Sequence, residues 1–113
     1  MNSRILTVGF WGGICLATFV WGALPEPWQN RDIGNVGASG SCSYSNGIFT
    51  VNGSGADIWN MADEFHYVYQ PYSGNVRIVS QVISQTAADG WAKAGLMIRE
   101  TLNNNSKYAM MII

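Results

Sequence analysis

Charge is scarce in this chain. Only 12% of its 113 residues are charged, against roughly 25% in an average soluble protein. There is one histidine, and there are two cysteines, Cys15 and Cys42. A closed zinc site or a disulfide scaffold needs more ligands than these, so both are excluded. No window after Pro27 holds a 3.6-residue apolar pattern over three turns, so long amphipathic helices are excluded from the body. Without residues 1–23 the chain keeps five basic and seven acidic groups. That acidic balance excludes a phosphate-neutralising surface, and with it nucleic-acid binding. It also excludes electrostatic attachment to anionic lipid. The length fits one domain at most.

What is present begins with a leader. Asn2-Ser3-Arg4 is a short basic start, and Ile5 to Leu24 carries no charge. Val20-Trp21-Gly22-Ala23 offers small residues for a signal peptidase, and Pro25 and Pro27 follow. This is the layout of a secretory signal peptide over 1–23, cleaved near Gly22 or Ala23. The 20-residue apolar run also has the length of an uncleaved anchor. Either way the body is expected to be secreted or displayed at the cell surface. Cys15 lacks the small preceding residue that a lipoprotein signal wants, since Ile14 stands there. Residues 24–30 read as a linker and 31–113 as the domain.

The body reads as all-β. Ser41–Ser45 and Ile48–Asn52 flank Asn46-Gly47, the residue pair of a type I′ hairpin turn. Glu64–Gln70 alternates Phe65, Tyr67 and Tyr69 with other residues, and Pro71 is expected to end it. Val76–Ser84 is rich in β-branched residues and apolar on both faces, which predicts a central strand. Trp91–Arg99 and Lys107–Ile113 follow, the latter closing on Tyr108-Ala109-Met110-Met111-Ile112-Ile113. About seven short strands separated by Gly, Asn and Ser clusters predict a β-sandwich. An apolar final strand without a turn or polar tail reads as a domain whose partner strands lie elsewhere.

Three segments carry a resemblance to a known family. They are Asp32-Ile33-Gly34 with the run to Gly47, then Gly53-Ser54-Gly55-Ala56-Asp57-Ile58-Trp59 leading to Asp63-Glu64-Phe65-His66-Tyr67-Val68-Tyr69, and Trp91-Ala92-Lys93-Ala94-Gly95-Leu96-Met97-Ile98-Arg99-Glu100. Together they resemble the "regulation of enolase" family of the concanavalin A-like lectin/glucanase superfamily, over residues 28–113. The resemblance implies a two-sheet jelly roll, here incomplete at its C-terminus, and a carbohydrate-binding or adhesive role. It also implies a parent chain with other domains. An exported module would not meet a cytosolic enolase.

The candidate site residues follow from chemistry. Aromatic faces stack on sugar rings, which singles out Trp59, Tyr72, Tyr67 and Tyr69, with Asp57 as a polar partner. The alternative role for these aromatics is the sandwich core, and Trp91 is expected there. Asp57, Asp63 and Glu64 offer oxygen ligands to calcium beside the Gly53–Gly55 loop, although no complete calcium loop is present. Asp57 in that loop also suits a turn stabiliser. Glu64 and His66 share a strand face, as a metal pair or as members of a cross-strand polar pair. Lys93 and Arg99 are expected in surface ion pairs with Asp89 or Glu100. Asn52-Gly53-Ser54 and Asn104-Asn105-Ser106 match the glycosylation acceptor pattern. The superfamily's catalytic carboxylates stand on alternate positions of one strand, and no Glu-x-Asp spacing exists here. A glucanase reading is therefore disfavoured. A non-catalytic module that binds a glycan or another cell-surface ligand is the expected function, with a structural or interaction spacer as the alternative.

Overall fold

The computed structural model describes residues 3–6, 23–86 and 90–113. The described residues are all-β in antiparallel sheets, consistent with a β-sandwich. Its strands are β1 (Ser3–Leu6), β2 (Gln29–Ile33), β3 (Ser41–Ser45), β4 (Ile48–Asn52), β5 (Phe65–Tyr72), β6 (Gly95–Arg99) and β7 (Tyr108–Ile112). Five of them form one sheet in the order β2-β5-β1-β6-β7, and β3 pairs with β4. The rest of the leader, including Gly22 at the expected cleavage point, lies outside the described residues. Among the described residues no helix is long and apolar enough to cross a membrane.

The hairpin β3–β4 follows from its turn. Asn46 and Gly47 adopt φ of 49° and 82°, the two positive values that a type I′ turn requires. The register then sets Tyr44 opposite Phe49 and Cys42 opposite Val51. Phe49 and Val51 are buried, and Trp28 and Tyr44 pack against Phe49 at ring-centroid distances of 5.1 and 4.8 Å.

β5 is the spine of the core. Phe65, Tyr67 and Tyr69 share one face of the strand, and His66 and Val68 share the other. All five are buried, so both faces are covered. Gly40 and Gly53 flank the hairpin and lie against His66, where a Cβ on Gly40 would come within 2.2 Å of the imidazole. The strand continues to Tyr72, through the expected stop at Pro71. β2 pairs only as far as Tyr69, so Pro71 stands past the two-sided part of the strand, where a residue without N–H is tolerated.

Three expectations need correction. Val76–Ser84 forms no ladder, apart from an isolated bridge at Ser84. Its burial still alternates, with Val76, Ile78 and Val82 half-buried and Val79 and Ile83 exposed. The two-residue period is real, but a central strand needs neighbours, and no described strand runs beside it. The strand expected from Trp91 begins only at Gly95, and Trp91 is not core: it is 84% exposed. Finally, β2 begins at Gln29, inside the stretch read as linker.

Arg99 is also not a surface residue. It is fully buried and donates from Nη1 to Asp63 Oδ2 at 3.1 Å, from Nε to the Thr101 carbonyl at 3.0 Å and from Nη2 to the Asn103 carbonyl at 2.6 Å. Its guanidinium lies 5.2 Å from the Phe65 ring centroid and 5.6 Å from that of Tyr108. The loop 101–106 is thereby fastened to the sheet, and the Asp63 amide donates to the Asn104 carbonyl at 2.9 Å. Burial pushes the Asp63 carboxyl upward, opposed by Arg99.

Candidate functional site

A cleft of about 290 Å³ opens between the loop after β4 and the segment leading into β6. Its polar lining comes from Ser54, Asp57, Glu64, His66, Gln85, Thr86 and Lys93, and Trp91 supplies an aromatic wall. Phe65, Met97 and Val51 form part of its floor. Apolar depth with a few fixed polar groups is the usual make-up of a small-molecule site.

The polar groups are held by local structure. Gly55 adopts φ of 135°, and a Cβ there would come within 2.0 Å of the Glu64 carbonyl oxygen. Only glycine lets the loop pass so close to Glu64. The Glu64 amide then donates to the Asp57 carbonyl at 2.8 Å, and the Ala56 amide donates to Glu64 Oε2 at 3.0 Å. Asp57 accepts from its neighbour's amide at Ile58, 2.7 Å away, and from the Lys93 ammonium. The lysine therefore pairs with Asp57, which corrects the expected pairing with Asp89 or Glu100. Gln85 Nε2 donates to the Ala92 carbonyl at 3.1 Å and braces the segment beside Trp91.

The five sequence candidates do not converge. Asp57 lines the cleft. Trp59 is 64% exposed but lies outside the cleft lining. Tyr72 is exposed and borders a separate groove with Trp28, Gln70 and residues 75–79. Tyr67 and Tyr69 are 0% and 5% exposed, stacked on each other in the core, and cannot meet a surface ligand. Alternation placed them on one face but could not say that the face points inward. Trp91 and Lys93 are cleft residues that the sequence assigned to core and to an unrelated ion pair. Their signal was the polar, glycine-flanked stretch that precedes the apolar run at Ala94.

The three carboxylates offered to calcium each have a partner within the protein. Asp57 holds Lys93, Asp63 holds the buried Arg99, and Glu64 caps the Ala56 amide. Among the described residues no group of three or more His, Cys, Asp or Glu side chains is placed to hold a metal ion. His66 pairs across the strands rather than with Glu64. Its Nδ1 lies 2.7 Å from Asp32 Oδ1 and its Nε2 lies 3.0 Å from Asn30 Oδ1. Asp32 stands directly opposite His66 in the register, and it also accepts from the Gly40 amide at 3.0 Å. Cys42 is half-buried, and burial pushes its thiol up to about 12, which makes it unreactive.

Two carboxylates couple the fold to pH. Burial pushes the Asp32 carboxyl up, but the His66 hydrogen bond, the Gly40 amide and the His66 charge together bring it below its ordinary value. Lys93 holds Asp57 low, against burial and with help from the Ile58 amide. A depressed carboxyl contributes stability that is present above its unfolded pKa, about 3.9 for aspartate, and is lost as pH falls through the folded value. The contribution of Asp32 and Asp57 to stability is therefore lost as pH drops below about 4. Asp57→Asn flattens that acid limb, which urea unfolding at stepped pH measures. An unchanged limb would remove the Lys93 pairing from the account.

No family model matches the chain, and comparisons with curated proteins and with solved structures find no match.

Proposed function

We propose that this chain is an exported, non-catalytic β-sandwich module that binds carbohydrate, or another cell-surface ligand of similar chemistry, in the cleft beside Trp91. The observation that carries the reading is an exposed indole at the edge of a cleft that is also lined by Asp57, Glu64 and Lys93. A sugar ring offers an apolar C–H face to an aromatic plane and hydroxyls to charged and amide groups around it. The leader supports an extracytoplasmic location, and the concanavalin A-like resemblance supports the sugar class.

The non-catalytic part rests on the carboxylates. Glycoside hydrolysis needs a general acid with a raised pKa opposite a second carboxylate. Asp57 is shifted the other way, and Glu64 is tied to the Ala56 amide. A spacer or interaction role is the second reading. It is favoured by the exposed Val79, Ile83, Met111, Ile112 and Ile113, an unusual amount of apolar surface for so small a body.

The full chain printed on a glycan array tests the reading. Retention of one class of oligosaccharide, without turnover, is the expected result. Uniform absence of retention would overturn it in favour of the interaction role.

A further inference from the structure

The two edges of the five-stranded sheet differ. β2 forms one and β7 the other. β2 carries Arg31 and Asp32, charges of the kind that guard an edge. Two β2 strands paired antiparallel about Arg31 would set guanidinium against guanidinium, which is destabilising. β7 is Tyr108-Ala109-Met110-Met111-Ile112, with no charge and no proline. Its register with β6 runs unbroken from Gly95↔Ile112 to Arg99↔Tyr108, so no bulge turns it away. The ladder also fixes which backbone groups face outward. The Ile113 amide donates to the Ala94 carbonyl at 3.0 Å, and the Glu100 amide donates to the Lys107 carbonyl at 3.1 Å. Bonding alternates along an antiparallel strand. Ala109 and Met111 therefore bond toward β6, and the amides and carbonyls of Tyr108, Met110 and Ile112 point out from the edge. Met111, Ile112 and Ile113 are 77%, 41% and 67% exposed.

We infer that β7 pairs with β7 of a second copy across a two-fold axis at Met110, joining the two five-stranded sheets into one. A second copy is the occupant because the edge is complementary to itself. A two-fold axis normal to the sheet makes the strands antiparallel and keeps like faces on the same side. Centred on Met110, the pairing sets Met110 against Met110 and Tyr108 against Ile112, so every outward-facing group of the strand finds a partner. A shift of the axis to Ala109 or Met111 leaves one of the three residues unpaired. No charge meets its like, since each Lys107 lies opposite Ile113 of the other copy. The contact borders the cleft, whose lining includes Met110 and Ile112, and it sets the second copy's Tyr108 beside Ile112. About five paired residues a side bury less than the ~1,000 Å² of a stable interface, so the dimer is weak and reversible. The pairing does not depend on what the cleft binds.

Sedimentation of the full chain over a concentration series is the test. The parent is expected to pass from monomer to dimer as concentration rises. Met110→Pro removes an N–H at the axis and none that bonds β6, a position where an edge strand tolerates proline. It should weaken association at least ~10-fold, with little change in urea unfolding. Ala109→Pro removes a bond to β6 and should lower stability instead. Cysteine variants decide the matter if Met110→Pro does not fold, made together with Cys15→Ser and Cys42→Ser. The Cα atoms of a hydrogen-bonded pair stand about 5.5 Å apart, within disulfide reach. Met110→Cys is therefore expected to give a covalent dimer on mild oxidation. Met111→Cys stands out of step with its own copy, roughly 8 Å away, and should not. A parent that stays monomeric throughout would overturn the proposal, as would association that survives Met110→Pro or equal cross-linking of both cysteines. Dissociation by Met111→Lys, with Met110→Pro still dimeric, would likewise overturn it and move the contact from the edge to the sheet face.

Discussion

Replacing Arg99 with alanine lowers the unfolding free energy by about 3–5 kcal/mol, because it leaves a buried carboxylate without its counter-charge. Arg99 and Asp63 have side chains 0% and 2% exposed. The same guanidinium satisfies the carbonyls of Thr101 and Asn103, so the substitution also frees the loop before β7. Arg99→Lys is expected to rescue little. An ammonium keeps the charge, but it lacks the planar fork that reaches three acceptors at once. The double variant Arg99→Met with Asp63→Leu should lose far less than the sum of its parts, since a buried ion pair and its apolar replacement are often close in energy. Urea unfolding of the parent, Arg99→Ala, Arg99→Lys, the double variant and its two single variants measures this. A loss below about 1 kcal/mol for Arg99→Ala would place the pair in solvent rather than in the core.

Gly55→Ala is the second large effect, and it separates the site from the fold. The φ of 135° alone strains any residue with a Cβ, at a cost of about 1–3 kcal/mol. The added carbon also meets the Glu64 carbonyl, so the loop must move away from β5. The hydrogen bonds of Ala56 to Glu64 and of Glu64 to Asp57 are broken in the process. Ligand binding is therefore expected to fall much further than stability does. Gly47→Ala is the control: φ there is 82° and no neighbour lies within 4 Å, so it strains the hairpin without touching the cleft. Equal loss of binding in both variants would show a general fold effect and not a local one.

Much of the architecture was legible where one residue pattern has one cause. Asn46-Gly47 specifies a turn that few other residues can make, and the hairpin follows. Alternation around Phe65, Tyr67 and Tyr69 gave β5, and the apolar run gave β7. Period-two patterning reports an extended chain but not its neighbours, which is why Val76–Ser84 was read as a paired strand. β2 escaped notice because Gln29-Asn30-Arg31-Asp32 is polar, as an exposed edge strand can be. Arg99 looked like a surface charge because it was read alone. It follows Gly95 and Met97 at alternate positions, which is the core face, and its partner Asp63 is far away in sequence. At the site, Asp57 was found because a loop acid beside glycines is conspicuous. Trp91 was misassigned because bulk alone cannot tell core from rim.

The most direct measurement compares Trp91→Ala and Trp59→Ala in binding of the best glycan from the array. Both indoles are exposed, so neither change should disturb folding, and only Trp91 borders the cleft. The account predicts at least a ~10-fold weaker affinity for Trp91→Ala, worth about 1.4 kcal/mol, and little change for Trp59→Ala. Loss confined to Trp59→Ala, with Trp91→Ala binding as well as the parent, would contradict it.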